Sequence, residues 1–280
     1  MTEPYAHDSD VAIHIEALQQ LLAAGGGEVK IAVSGGVDSL TLALLAGRTP
    51  GCRATMYHAI SPAVPGDAGP RVREVAQREG WTLRLVDTGE FDDEEYLANP
   101  YRRCFHCKKN LYATLSAIDG GNGGTILSGA NSDDMQDFRP GLQAAEQFAV
   151  RHPFVECGID KASIRRICRQ LGYPDIAALP ASPCLASRME TGLRIDPGLL
   201  GLIDEVESLL RDGLQADTVR CRIRHDGMRI QLDSRCLESL SSEEIEQWRQ
   251  HIGDLAGPLH GVSEVHFEPY RMGSAFVEFN

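Results

Sequence analysis

A six-residue segment near the start of the chain carries the strongest chemical signature. It begins at Ser34, reads SGGVDS and follows the apolar run VKIAV, which predicts a buried strand. Gly35 and Gly36 let the backbone approach phosphate oxygens, and a helix that begins here directs its first N–H groups at them. The Ser34 and Ser39 hydroxyls add donors, and the Asp38 carboxylate can hold Mg²⁺. The segment predicts a nucleotide site; the alternative is a plain glycine turn.

A second polar segment, SGANSDDMQDFRPG, begins at Ser128 and also follows a predicted strand. Its acidic side chains can assist magnesium, and Arg139 can bind phosphate. Taken alone, the segment is typical of a polar loop with a turn at Pro140 and Gly141. The Walker pattern is absent from the first loop, because no lysine there can reach a γ-phosphate.

Two of the eight cysteines, Cys104 and Cys107, form a C-x-x-C pair at the start of a predicted helix. This spacing places two thiolates near each other, and both iron–sulfur clusters and zinc favour thiolate ligands. A zinc site completed by His106 or by another cysteine is one alternative. A redox-active pair is a weaker one, since the surrounding sequence is not thioredoxin-like.

The order of strands and helices predicts an α/β fold with a doubly wound parallel sheet and a smaller C-terminal α+β domain. The predicted strands are Val29–Val33, Ala54–Ile60, Thr82–Asp87 and Thr125–Ser128, and helices are predicted at 11–24, 71–78, 108–117 and 160–172. Residues 61–70 form a Pro/Gly loop, and the last of these helices has Asp160 as its cap and Gly172 as its stop.

The proline-rich stretch ALPASPCLASR marks the expected domain boundary. We place the nucleotide-binding domain at residues 10–185 and the second domain at 186–280. The second domain is predicted to contain helices near 196–211 and 242–252, the strands TVRCRIR and MRIQL, and two final strands. Arg220 and Arg222 alternate along the first of these strands and therefore share a face. Spacing alone favours a solvated basic strand.

The net charge of −13 opposes binding to long nucleic acid, which requires a basic surface. No apolar run approaches the roughly 18–20 residues that cross a bilayer. The polar, acidic N-terminus MTEPYAHDSD is unlike a secretory signal. We therefore expect a cytoplasmic protein that binds neither nucleic acid nor membrane.

SGGVDS resembles the PP-loop superfamily of ATP pyrophosphatases, and further segments narrow the resemblance. NPYRRCFHCKKNLY, GANSDDMQDFRPG with GIDKASIRRICRQLG, and ASPCLASRMETG followed by TVRCRIRHDGMRIQL occur in the order found in the LarE family. These are ATP-dependent sacrificial sulfur transferases that help to make the nickel-pincer nucleotide cofactor. The resemblance covers roughly residues 11–280 and is most specific at CLASR-x-x-x-G.

The resemblance implies that ATP, bound with Mg²⁺, adenylates a carboxylate of a pyridinium biscarboxylic acid mononucleotide. Sulfur then converts the adenylated carboxylate to a thiocarboxylate. In some members one cysteine, matched here by Cys184, gives up its own sulfur. In others three cysteines, matched by Cys104, Cys107 and Cys184, hold a [4Fe-4S] cluster, and we expect this type.

The resemblance further implies a substrate-phosphate site at Arg220 and Arg222 and assembly into homo-oligomers. Glu207 matches a family acid at that site, although a helix-surface glutamate is common. The rival functions are a tRNA-thiolating PP-loop enzyme and a nucleotide- or zinc-binding protein without turnover.

Overall fold

A computed structural model describes residues 6–24, 27–121, 124–136, 139–257 and 264–271 of the 280-residue chain. The chain forms two compact units. The first comprises residues 1–90 and 104–182, and the second comprises residues 91–103 and 183–280. The boundary between residues 185 and 186 stays a prediction. Among the described residues, no helix has the length and apolar character needed to cross a membrane.

The first unit is built on a four-stranded sheet in the order β3-β2-β1-β4. Every pairing in it is parallel. The strands are β1 (Glu28–Ala32), β2 (Arg53–Ala59), β3 (Thr82–Val86) and β4 (Thr125–Leu127). All four lie within one residue of their predicted bounds, and the predicted α/β class with a parallel sheet is confirmed.

Helices cover both faces of this sheet. They are α1 (Ala6–Ala24), α2 (Val37–Arg48), α3 (Ala68–Glu79), α5 (Arg103–Ala117), α6 (Pro140–Gln147), α7 (Pro153–Glu156), α8 (Lys161–Gln170) and α9 (Pro174–Ala178), whereas α4 (Glu94–Leu97) belongs to the second unit. Side chains alternate along each strand, so Ile31 packs in the core of α1, α2 and α8 while its neighbour Ala32 packs in the core of α5 and α6.

Two helix boundaries show how local chemistry sets the fold. The Asp160 carboxylate accepts a hydrogen bond from Ser163 N at 2.7 Å, as expected for the cap of α8. Gly172 has φ +89° just beyond that helix, also as expected. Helix α3, in contrast, begins at Ala68, so the end of the predicted loop 61–70 is helical. Pro70 fits there because the first helical turn needs no donor from its nitrogen.

The second unit contains a three-stranded sheet in the order β5-β6-β7. Its strands are β5 (Val219–Arg224), β6 (Gly227–Leu232) and β7 (Val265–Pro269), and its longer helices are α10 (Pro197–Leu214), α11 (Ser234–Ser239) and α12 (Ser242–Ala256). Strands β5 and β6, which correspond to the predicted runs TVRCRIR and MRIQL, pair antiparallel, and β7 pairs parallel to β6. One predicted final strand is β7; the other falls at residues 272–280, outside the described residues.

Candidate functional site

The two polar segments follow neighbouring strands of the first sheet. Ser34 comes after β1 and Ser128 after β4, and these strands pair in parallel. The chain leaves β1 toward β2 and β3 on one side and later crosses to β4 on the other. Open α/β sheets bind ligands at the carboxyl ends of the strands where the order reverses in this way. The fold therefore places SGGVDS and SGANSDD together at the expected ligand crevice.

Hydroxyl groups fix the shape of the SGGVDS loop. Ser34 N donates to Ser39 Oγ at 3.1 Å, and Ser39 Oγ donates to Gly36 O at 3.1 Å. Gly35 has φ +86°, and a Cβ there would lie 3.0 Å from Ala68 Cβ, so a larger residue is excluded. No side chain caps the start of α2 at Gly36. The first amide groups of this helix therefore remain available to an anion.

Gly129 brings the second segment against the first. A Cβ at this position would lie only 2.9 Å from Asp38 C and from Ser39 N. The absence of a side chain thus permits direct backbone packing between the loop after β4 and the first turn of α2. The sequence shows the glycine but gives no sign of its neighbour, because Asp38 and Gly129 follow different strands and lie far apart along the chain.

Asp38 is a mostly buried carboxylate with one oxygen occupied. Its Oδ2 accepts a hydrogen bond from Lys161 Nζ at 2.5 Å, whereas Oδ1 is buried and has no partner among the described residues. Burial raises the pKa of Asp38, and the nearby Lys161 ammonium opposes that rise. An ionised carboxylate oxygen left unsatisfied inside a protein is costly unless a cation or donor completes it. The chemistry of this oxygen fits a hard cation such as Mg²⁺.

Lys161 is the site residue that the sequence reasoning missed. It is the first residue of α8, and its backbone N donates to Asp133 Oδ2 at 3.0 Å. Helix α8 thereby supplies, from 123 positions beyond Asp38, the lysine that the loop itself lacks. The sequence gives one signal for this residue, which is that Lys161 directly follows the predicted cap Asp160. It does not indicate which other elements lie near the start of that helix.

Arg139 lies within the second segment and pairs with an acid of the same segment. Its Nη2 is 2.7 Å from Asp134 Oδ1, and its side chain is half exposed. Asp134 Oδ2 in turn accepts a hydrogen bond from Asn131 N at 3.1 Å. These contacts hold the guanidinium at the same loop that packs against Asp38.

The C-x-x-C pair lies on the first turns of α5, where residues three apart share a face. Cys104 and Cys107 are reduced and partly exposed. A Cβ at Gly141 would be 3.0 Å from Lys108 Cγ and 3.7 Å from Cys104 O, so α6 begins directly against this part of α5. The first unit therefore brings the cysteine pair to the segment that also contains Arg139.

Cys184 lies in the second unit, at the start of a single 3₁₀ turn over Leu185–Arg188. It is reduced and partly exposed. In the same unit Arg188 forms two 2.9 Å bonds with the Glu207 carboxylate, and each of these side chains is only 2% exposed. Glu207 is thus a buried structural partner, and the helix-surface interpretation is wrong for it.

Arg220 and Arg222 share one face of β5, as predicted, but Arg222 is only 5% exposed. The contacts of Arg222 are Nε to Gln231 Oε1 at 2.7 Å, Nη1 to Ser187 O at 3.2 Å and Nη2 to Arg271 O at 3.5 Å. Burial, reinforced by the charge of Arg188, lowers the pKa of Arg222 to about 10. This guanidinium is buried among neutral acceptors, which excludes a solvated strand at this position.

Arg220 is half-buried beside Arg222. Its Nη1 donates to Val219 O at 2.7 Å, and its guanidinium lies 5.9 Å from the centre of the Tyr270 ring. Burial and then the charge of Arg188 lower the pKa of Arg220. Burial is the larger cause of both lowered pKa values and the charge of Arg188 the smaller one, and a bound anion would favour the charged form of each guanidinium.

Comparison with known proteins shows the family of the chain. The chain is 35% identical over 230 residues to an uncharacterized protein of Synechocystis sp., a match that covers 80% of this chain and 85% of that protein, and it belongs to the same family. It is 28% identical over 186 residues to an uncharacterized protein of Methanocaldococcus jannaschii, covering 66% and 70%. No protein-family model matches the chain.

One relative is named for its activity. The chain is 27% identical over 209 residues to the pyridinium-3,5-bisthiocarboxylic acid mononucleotide synthase of Lactiplantibacillus plantarum, covering 73% of this chain and 74% of that enzyme. This similarity agrees with the LarE resemblance of the sequence motifs.

Proposed function

We propose that the chain is a LarE-type sulfur transferase that uses ATP to convert a carboxylate of a pyridinium mononucleotide into a thiocarboxylate. The observation that carries this proposal is the environment of the Asp38 carboxylate. A buried carboxylate oxygen that has no partner among the described residues lies in a glycine-rich loop at the carboxyl ends of two parallel strands. The activity named for the Lactiplantibacillus plantarum relative supplies the class of substrate.

In this proposal the SGGVDS loop binds the phosphates of ATP, and Asp38, one of whose oxygens has no partner among the described residues, would hold Mg²⁺. The bound Mg²⁺ would supply positive charge to the phosphates. Lys161 contacts the other oxygen of Asp38 and offers an ammonium group for a phosphate, and Arg139 adds a guanidinium from the neighbouring loop. Together these groups neutralise the negative charge of a departing pyrophosphate.

The arginine pair of the second unit suits the phosphate of the mononucleotide. Arg222 is buried without a carboxylate partner among the described residues, and Arg220 lies beside it on the same strand face. Guanidinium groups bind phosphate through two parallel hydrogen bonds. In this proposal a ring carboxylate of the mononucleotide is adenylated, because a carboxylate is a poor electrophile until its oxygen becomes a good leaving group.

For the sulfur we propose that Cys104, Cys107 and Cys184 hold a [4Fe-4S] cluster. All three cysteines are reduced and partly exposed, and two of them share a helix face, so the donor chemistry fits. Such a cluster, with three protein ligands, would supply an open iron that carries an expendable sulfide. The chain's own contribution is to leave three cysteine side chains partly exposed and to bring Cys104 beside the loop that contains Arg139.

The products of ATP cleavage test the pyrophosphatase part. Purified protein with ATP, Mg²⁺ and the pyridinium biscarboxylic acid mononucleotide should release AMP and pyrophosphate, and omission of the mononucleotide should reduce both. ADP as the main product would contradict the assignment. Copurified tRNA, or turnover that requires tRNA, would favour a tRNA-thiolating enzyme instead.

A metal and sulfide assay tests the sulfur source. Anaerobically purified protein should be brown, absorb near about 400 nm and contain acid-labile sulfide, because thiolate–iron bonds give visible charge-transfer bands. Colourless protein with stoichiometric zinc would support a zinc site. Loss of about 34 Da at Cys184 after turnover, the mass of H₂S, would show that this cysteine becomes dehydroalanine because its own sulfur has passed to the adenylated substrate.

A further inference from the structure

Arg188 is the centre of a buried hydrogen-bond network that ends on the turn of Cys184. Its Nη1 lies 2.7 Å from Pro183 O, 3.3 Å from Cys184 O and 3.1 Å from Ser187 Oγ. One guanidinium nitrogen thus contacts the residue before Cys184, Cys184 itself and a residue three positions later. A side chain that contacts several points of one turn restricts its backbone.

Glu207 fixes Arg188 from the opposite side. Its two oxygens accept the 2.9 Å bonds from Arg188 Nε and Nη2, and Oε1 also accepts from Cys221 N of β5 at 2.9 Å. Because the guanidinium is planar, the orientation that satisfies Glu207 also determines where Nη1 points. Helix α10 and strand β5 therefore set the direction from which Arg188 contacts the turn.

The same turn is tied to the proposed phosphate-binding arginine. Ser187 N donates to Cys184 O at 2.9 Å, and Ser187 O accepts from Arg222 Nη1 at 3.2 Å. Arg222 is oriented by Gln231 Oε1, while Gln231 Nε2 donates to Glu268 Oε1 at 2.7 Å. Since a carboxylate only accepts, Glu268 determines which end of the Gln231 amide faces Arg222.

We infer that Arg188 is a positioning residue that couples the thiol of Cys184 to an anion bound at Arg222. Glu207 fixes the orientation of Arg188, and Arg188 restricts the backbone of the turn that begins at Cys184. Because Ser187 O accepts a hydrogen bond from Arg222, a shift of Arg222 moves the same turn. An anion on Arg222 changes the hydrogen bond to Ser187 O and with it the freedom of Cys184. The role in sulfur transfer rests on the proposed function, whereas the coupling is a property of the second unit alone.

The experiment measures alkylation of Cys184 in the full-length apoprotein by iodoacetamide, with quantification of the modified peptide by mass spectrometry. Inorganic phosphate is the probe for the anion site. Cys236 is the internal reference, since it is a half-buried thiol of the same unit outside the network. Arg211→Lys is the matched control, because Arg211 Nη1 lies 3.8 Å from Glu207 Oε2 and its exposed side chain has no described bond to the turn.

In the wild type, phosphate should slow alkylation of Cys184 and leave Cys236 unchanged. Arg188→Lys keeps the charge but loses the planar fork. We expect it to raise the alkylation rate of Cys184 about tenfold, as loss of one or two net hydrogen bonds implies. The rate should also become insensitive to phosphate. Arg211→Lys should behave as the wild type. Glu207→Gln should give an intermediate rise, because one acceptor oxygen remains for Arg188.

An unchanged rate and phosphate response in Arg188→Lys would overturn the inference. So would an equal rise at Cys184 and Cys236, which would indicate general loosening of the unit. If Arg188→Lys does not fold, the same comparison in Glu207→Gln and the phosphate response of the wild type decide the question. Failure of the proposed function is separately visible as the absence of AMP and pyrophosphate from wild-type protein, which the alkylation assay does not require.

Discussion

The SGGVDS loop of the first unit and the arginine cluster of the second each bury a charge that the described chain does not fully compensate. Among the residues that the structure describes, Asp38 has one oxygen against Lys161 and one without a partner, whereas Arg222 makes three hydrogen bonds, all to neutral acceptors. An incompletely satisfied anion requires a cation, and an incompletely satisfied cation requires an anion. The first region is thus suited to a metal with its nucleotide, and the second to a phosphate.

The two regions also differ in how they are built. The loop consists mainly of backbone, glycines and nearby hydroxyls within six consecutive residues. The arginine cluster consists of side chains whose partners lie on a turn, on another strand and near the end of the described chain. We therefore expect most substitutions within the SGGVDS loop to disturb the whole loop. Each substitution in the arginine cluster should remove only the contacts of the replaced side chain.

The largest expected effect is that of Asp38→Ala. Removal of the carboxylate eliminates the proposed metal ligand and the partner of Lys161, and we expect AMP and pyrophosphate formation to fall by roughly a thousandfold or more. Circular dichroism should show an unchanged fold. Near-normal turnover at saturating Mg²⁺ would exclude a metal-binding role for Asp38. The contrast between a first region suited to a cation and a second region suited to an anion would then fail.

Arg222→Gln should have the next largest effect. The required concentration of pyridinium mononucleotide should rise about 10- to 100-fold, the range expected for loss of charge-assisted hydrogen bonds to phosphate, with little change for ATP. Arg229→Gln is the matched control, since Arg229 lies opposite Arg222 in the sheet but pairs with Asp226. Equal losses for both ligands, or equal effects of the two variants, would count against a phosphate site at Arg222.

Gly129→Ala should give a moderate effect confined to the first region. The new methyl group would lie 2.9 Å from the backbone of Asp38 and Ser39, and such overpacking costs about 1–3 kcal/mol. We expect a lower melting temperature and weaker ATP binding, measured by calorimetry. Gly201→Ala in α10 has no atom within 4 Å of its new Cβ and should be neutral or stabilising. Unchanged ATP affinity in Gly129→Ala would show that displacing the segment after β4 does not affect ATP binding at the SGGVDS loop.

The smallest expected effect is a pH-dependent gain in stability from Asp38→Asn. Because burial raises the pKa of Asp38, the charged carboxylate opposes folding, and the stabilisation present below its ordinary pKa is lost as the pH rises through the raised value. Apo Asp38→Asn should therefore melt a few degrees higher than the wild type at neutral pH, and the gap should close on acidification. Mg²⁺ should raise the melting temperature of the wild type alone. A variant that melts lower at neutral pH would show that the bond to Lys161 outweighs desolvation.

The sequence alone determined most of the fold of the first unit. Its four strands are short apolar runs, its helix boundaries are set by local caps such as Asp160, and the glycines of SGGVDS specify a strand-to-helix turn. Alternation also placed Arg220 and Arg222 on one face, because side chains of a strand alternate with a period of two. These features depend on interactions within a few residues, and residue types record such interactions directly.

Only the tertiary structure decided which distant groups complete each site. Lys161 donates a hydrogen bond to Asp38, and Gly129 packs against the first turn of α2. Glu207 is buried and accepts hydrogen bonds from Arg188. The physical reason is that burial and long-range pairing depend on how strands and helices pack, and the identity of a residue does not specify which distant group becomes its neighbour. Whether a glutamate is solvated or is the buried partner of an arginine is therefore settled by the fold.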